Sequence, residues 1–163
     1  DPVLWAVENG ITNGTDATHF SPNKTITRAE AVTFLWRAAG EPEPTTTVNP
    51  FVDVTENDFF YKAVLWANEK NITNGMDATH FAPLTTANRA QIVTFLWRAM
   101  DKPEVNATEH PFTDVAEDQF YFVPMLWAVE NGITNGLTTT TFGPTATCNR
   151  AQVVTFLYRT NNK

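Results

Sequence analysis

Leu65-Trp66-Ala67-Asn68-Glu69-Lys70-Asn71-Ile72-Thr73-Asn74-Gly75 decides the fold, because close copies of it stand on either side at one constant distance. Leu4-Trp5-Ala6-Val7-Glu8-Asn9-Gly10-Ile11-Thr12-Asn13-Gly14 precedes it by 61 residues, and Leu126-Trp127-Ala128-Val129-Glu130-Asn131-Gly132-Ile133-Thr134-Asn135-Gly136 follows by the same offset. Phe20, Phe81 and Phe142 keep that register, as do Pro22, Pro83 and Pro144; Arg28, Arg89 and Arg150; and Arg37, Arg98 and Arg159. A register held across so many positions marks three copies of one supersecondary unit.

Working outward, each copy divides into two helical segments. In the second copy Phe60, Ala63, Val64 and Ala67 recur at helical spacing, so a first helix is expected over about residues 59–70. Thr-Asn-Gly closes it as a turn, since Asn and Gly accept positive φ cheaply. A polar loop then delivers Phe20, Phe81 or Phe142, expected to plug the core. The second helix opens on Thr27-Arg28-Ala29-Glu30, Asn88-Arg89-Ala90-Gln91 or Asn149-Arg150-Ala151-Gln152. Each is a capping box, in which the first side chain accepts from the third helical N–H and Glu or Gln reaches back. Ile26, Ala87 and Cys148, just before the caps, fit staple residues facing Ala31, Ile92 and Val153.

The units are expected at residues 1–40, 51–101 and 112–160 of a single module, joined by proline-containing polar linkers at 41–50 and 102–111. The second and third units open on Phe51-Val52-Asp53-Val54 and Phe112-Thr113-Asp114-Val115. The first unit is truncated before this motif, so any groove that needs it is expected to be defective there.

Composition narrows the function. A chain of 163 residues with 42% hydrophobic and 12% aromatic content can build a packed core without metal or disulfide. A net charge of −7 argues against nucleic acid and anionic membrane surfaces as partners, because both require basic patches. No apolar run reaches membrane-spanning length. His19, His80 and His110 lack metal-ligand spacing. There is no phosphate loop, nucleophile elbow or EF-hand, so neither an enzyme nor a cofactor is expected. The lone Cys148 allows no internal disulfide.

The second helix is apolar on most sides (Ala31, Val32, Phe34, Leu35, Trp36, Ala38), with Glu30, Thr33 and Arg37 as a narrow polar stripe. Such a stripe reads most simply as solvated. Arg28, Arg89 and Arg150 are harder to place, since each stands in a first helical turn, where the helix dipole disfavours cations. Two partners are open. Asp53 and Asp114 could pair with the arginines and staple neighbouring units, or each arginine, with the free N–H groups of the helix start, could hold an anionic ligand group.

Phe-x-Asp-Val, a helix, Gly-Ile-Thr-Asn-Gly, Phe-x-Pro and Thr-Arg-Ala-Glu, in this order, resemble the S-layer homology domain over essentially the whole chain. The resemblance implies an all-α fold of three helix-loop-helix repeats in a pseudo-threefold arrangement around a central bundle, made by the first helices, with grooves between units. It further implies a non-catalytic module at the bacterial cell surface, part of a larger surface protein. Such a module anchors its parent to a secondary cell-wall polymer that carries pyruvylated N-acetylmannosamine. A structural or protein-interaction role in a surface-layer assembly is the alternative. The ligand-binding residues expected are Arg28, Arg89 and Arg150, with Asp53, Asp114, Gly14, Gly75, Gly136, Phe59, Phe120, Trp66 and Trp127. Phe59 and Phe120 stand where the family commonly has Trp, while Trp66 and Trp127 could be either bundle core or groove wall. Thr18, Thr79 and Thr140 replace a family loop glycine.

Overall fold

The computed structural model describes residues 1–162 and contains six helices. They are α1 (Pro2–Glu8), α2 (Arg28–Ala38), α3 (Tyr61–Glu69), α4 (Arg89–Ala99), α5 (Phe122–Glu130) and α6 (Arg150–Asn161). The fold is all-α, as expected. The capping boxes form in all three copies: Thr27, Asn88 and Asn149 accept from the backbone of the third helical residue, whose side chain returns the bond. Each Thr-Asn-Gly turn is closed by the threonine oxygen, which accepts the glycine N–H at 3.1–3.2 Å.

The assembly is cyclic. The helix that opens each unit packs on the second helix of the preceding unit, α3 on α2 and α5 on α4, and α1 closes the ring against α6. Helices α2, α4 and α6 touch one another, so the second helices make the central bundle. This corrects the expectation that the first helices do so. The reason is written in the apolar faces. Ala29, Ala31, Val32, Phe34 and Leu35 surround α2 and all are buried, and a helix apolar on most sides must be covered on most sides. The outer helices are short and leave Leu4, Val7 and Val123 exposed.

A three-way junction lies at the N-terminal ends of the central helices. Ile26 N–H donates to Cys148 O at 3.0 Å, Cys148 N–H to Ala87 O at 3.0 Å, and Ala87 N–H to Ile26 O at 2.9 Å. Three extended segments thereby satisfy one another in a closed triangle, and all three residues are fully buried. These are the positions expected as staple residues; the structure adds this axial task. The same arrangement sews each helix start to the next unit. Arg28 and Ala29 N–H donate to Thr85 and Pro83 carbonyls, Arg89 and Ala90 to Ala146 and Pro144, and Arg150 and Ala151 to Lys24 and Pro22.

The loop phenylalanines plug the core as expected for Phe81 and Phe142, both fully buried, whereas Phe20 is only partly covered. Phe51 and Phe112 explain the difference, lying over Phe81 and Phe142 at ring-centroid distances of 5.7 and 5.8 Å. Linkers run along the outside, tied down where Trp36 and Trp97 donate to the carbonyls of Pro42 and Pro103.

Burial pushes the Cys148 thiol up to about 11, against a small opposing pull from Arg89. Ellman's reagent at mildly alkaline pH is therefore expected to leave Cys148 untouched in the native chain and to titrate it fully in denaturant. Fast native reaction would mean that the axial junction opens.

Candidate functional site

Each junction between units forms a groove, and the three grooves use equivalent positions. The first holds Arg28 with Thr73, Asn74, Gly75, Gln91, Thr94, Arg98 and Phe120. The second holds Arg89 with Thr134, Gly136, Gln152, Thr155 and Arg159, and the third Arg150 with Thr12, Gly14, Glu30, Thr33, Arg37 and Phe59. Their volumes are about 330, 440 and 260 Å³, respectively. The first two reach the size of ordinary small-ligand clefts, roughly 300 Å³ and above.

The polar stripe of the central helix is thus a groove wall and not a solvated face. Thr33 and Thr94 are buried, with their hydroxyls donated to the carbonyls of Ala29 and Ala90. Arg37, Arg98 and Arg159 cross to the turn below, donating to Ile11, Ile72 and Ile133 carbonyls at 2.9–3.1 Å. Every groove therefore carries two guanidinium groups brought together from different helices. Sequence reading missed this second arginine, together with Asn74, Gln91 and Thr94. The recurrence of Glu/Gln, Thr and Arg at i, i+3 and i+7 on an otherwise apolar helix was the signal available.

The first-turn arginines are almost wholly buried, Arg28 at 2% exposure. Their Nε atoms donate to the carbonyls of Phe81 (2.9 Å), Phe142 (2.7 Å) and Phe20 (2.9 Å) in the following unit, taken cyclically. Each guanidinium also lies against two phenylalanine rings, Arg28 at 4.8 Å from Phe81 and 5.5 Å from Phe95. The arginines do staple the units, but to carbonyls and rings instead of carboxylates. Asp53 and Asp114 are engaged elsewhere: their two oxygens accept from Phe81 and Ala82 N–H, and from Phe142 and Gly143 N–H, at 2.8–2.9 Å. Asp53 reaches Arg28 only through space, as a charge. Neither aspartate lines a groove, so both leave the expected ligand set and become loop-shaping residues. The N–H groups of the first two helical residues are also occupied, which removes the expectation that they bind an anion directly.

Trp66 and Trp127 are buried core residues of the outer helices α3 and α5 and line none of the three grooves; Trp66 instead borders a separate cavity of about 340 Å³ with Lys70 and Arg98. Phe59 and Phe120 do line grooves and are largely exposed, at 67% and 60%. The Arg89 groove has no such aromatic among its described lining residues. Gly14, Gly75 and Gly136 line all three. At Gly75, φ is +87° and an added Cβ would lie 2.6 Å from the Asp77 carbonyl oxygen, so this wall requires glycine.

Desolvation brings Arg28 down to about 10, opposed by Asp53, and lowers Arg89 and Arg150 for the same first reason, with Glu30 opposing at Arg150. All three stay charged at neutral pH. The charged form is thus penalised by folding: the penalty is fully present at neutral pH and is relieved only as pH rises through about 10. Arg89 and Arg150 offset it with a second bond, Nη2 to Thr134 and Thr12 Oγ1 at 2.9 Å. Arg28 Nη2 has no such bond and is the unsatisfied buried side-chain atom among the described residues.

Such geometry defines a class, a cyclic three-repeat helical module with polar, doubly cationic grooves at its unit junctions. The S-layer homology domain profile matches residues 1–32, 50–93 and 111–154, and the chain belongs to that family. It is 35% identical over 101 residues, or 62% of the chain, to a Surface-layer 125 kDa protein of Lysinibacillus sphaericus. It is 26% identical over 75% of its length to an endoglucanase of a Bacillus species, and 26% identical over 97% to an amylopullulanase of Thermoanaerobacterium thermosulfurigenes. The matched region covers only 8%, 13% and 9% of those three proteins. Membership places the chain at the cell surface, and no helix among the described residues is long and apolar enough to cross a membrane.

Arg89→Met is expected to cost about 3 kcal/mol in urea denaturation, since charge-assisted hydrogen bonds contribute about 1.5–3 kcal/mol each. Arg28→Met should cost less, because it also removes an unsatisfied buried donor; a larger loss at Arg28 would contradict the bonding described. Gly75→Ala should cost more than about 1 kcal/mol in the same measurement, through backbone strain and the carbonyl clash.

Proposed function

We propose that the chain is a non-catalytic anchoring module that binds a secondary cell-wall polysaccharide attached to peptidoglycan, through acidic groups such as pyruvate ketals. The observation that carries the reading is the pair of guanidinium groups in each groove, set in a chain whose net charge is −7. A strongly acidic protein repels polyanions on average. Two arginines held in a half-enclosed groove reverse that locally, and a low-dielectric setting strengthens their hold on a carboxylate.

The neighbouring groups suit a sugar. Asn74, Gln91 and the backbone of the Thr-Asn-Gly turn offer donors and acceptors to hydroxyl and acetamido groups. Phe59 and Phe120 offer exposed ring faces to the apolar side of a pyranose. Family membership supports the wall as the target, and the small share of its relatives that the chain spans supports a role as one attachment part of a longer parent. In such a parent the grooves would tether whatever catalytic or lattice-forming portion accompanies them.

An alternative keeps the module as a protein-interaction or structural piece of a surface assembly. The observation behind it is that each first-turn arginine is heavily used in joining the repeats.

Sedimentation of the purified chain with isolated sacculi separates the two readings. Retention is expected on sacculi that carry their polymer and not on sacculi stripped of it. Equal retention on both preparations would overturn the glycan reading in favour of the alternative.

A further inference from the structure

One position in the three grooves differs in charge. The third residue of the central helix is Glu30 in one copy and Gln91 or Gln152 in the others. In every copy one terminal oxygen of this side chain is consumed by the capping box, so the other terminal atom is free to face the groove. In the Arg150 groove that atom is a carboxylate oxygen, Glu30 Oε1, at 3.2 Å from Lys24 Nζ and 3.8 Å from Arg150 Nη1. Arg37 in the same groove is neighboured by Glu41 at 3.8 Å. In the Arg28 groove it is the amide nitrogen of Gln91, a donor, whose contact is the weakly accepting Met76 sulfur at 3.7 Å.

The arginines differ in step. Arg150 and Arg89 spend Nη2 on Thr12 and Thr134, but Arg28 Nη2 is buried with no acceptor although Thr73 occupies the matching place. The Arg28 groove therefore has surplus donors from Arg28 and Gln91, a second guanidinium in Arg98, and no carboxylate in its lining. A buried cation short of one acceptor is the arrangement most improved by an incoming anion.

We propose that the Arg28 groove is the primary seat for a ligand carboxylate, and that Glu30 acts in the Arg150 groove as an internal anion that keeps ligand out. The inference rests on the glycan reading above and deepens it, by assigning the three grooves unequal parts. The Arg89 groove ranks between: it lacks a carboxylate, but its Nη2 already donates to Thr134. Gln91 and Glu30 are then the residues that set which junctions bind.

The test exchanges the two chemistries without disturbing the caps, since both Glu and Gln complete a capping box. The whole chain, labelled with nitrogen-15, is titrated with a pyruvylated N-acetylmannosamine glycoside while the arginine Nε–H signals are followed. Signals of Arg28 and Arg98 should shift at the lowest concentrations and those of Arg150 last. Gln91→Glu should weaken the first phase about tenfold or more, the loss of roughly one charge-assisted contact. Glu30→Gln should bring the Arg150 signals into the tighter range. Thermal melts confirm that both variants remain folded. Sacculus retention is measured in parallel. If the native chain is retained but Gln91→Glu binds as well as it does, or Arg150 responds first, this inference falls and the glycan reading stands. If the native chain is retained on neither the sacculi nor the glycoside, both fall together.

Discussion

The first turn of each central helix is completed by another repeat, and the remainder of the structure depends on that. A helix start leaves N–H groups without partners. Here the cap residue answers one of them, and carbonyls of the following unit's Phe-x-Pro loop answer the first two, as at Arg28 and Ala29 with Thr85 and Pro83. The arginine side chain repeats the gesture toward Phe81, Phe142 or Phe20. Helices of 7–12 residues are marginal by themselves in water. Three units that finish one another's helices, and close through α1 on α6 and the axial triangle, remove that difficulty together.

This economy shapes the grooves. Because backbone donors at the helix starts are consumed in holding units together, what faces each groove is the i, i+3, i+7 polar stripe, the outer edge of the guanidinium, and the asparagine and glycine backbone of the turn. The grooves are therefore similar in shape, while their chemistry is free to vary at single positions. Glu30 against Gln91, and Met76 against Leu137, change the character of a groove without touching the frame.

Much of the frame was legible in the sequence. The capping boxes and the Thr-Asn-Gly turns are local and formed where their residues predicted, whereas the phenylalanine plug is complete at Phe81 and Phe142 and not at Phe20, which has no counterpart of Phe51 or Phe112 over it. The identity of the central helices was legible too, in the apolar circumference of Ala31, Val32, Phe34 and Leu35, although the family resemblance pointed the other way. The aspartates of the opening motifs were misleading. Asp53 seemed available to Arg28 because both carry charge, but a carboxylate two-pronged onto Phe81 and Ala82 N–H is more strongly committed than a surface ion pair. Trp66 and Trp127 could not be settled from spacing, since a helical aromatic serves core or groove equally well until its neighbours are known.

By itself the sequence determined the repeat, the helices, their caps and the family, because these rest on contacts within a few residues or on the constant offset of 61. Only the tertiary structure decided which unit each arginine reaches, 53 residues ahead for Arg28 and Arg89 and 130 residues back for Arg150. It also decided that the polar stripe is a wall, that Arg98 joins Arg28, and that one buried guanidinium nitrogen lacks a partner where its two counterparts have one. These are properties of distance between residues far apart in the chain. Three nearly identical copies can therefore read alike along the sequence and still present unequal grooves.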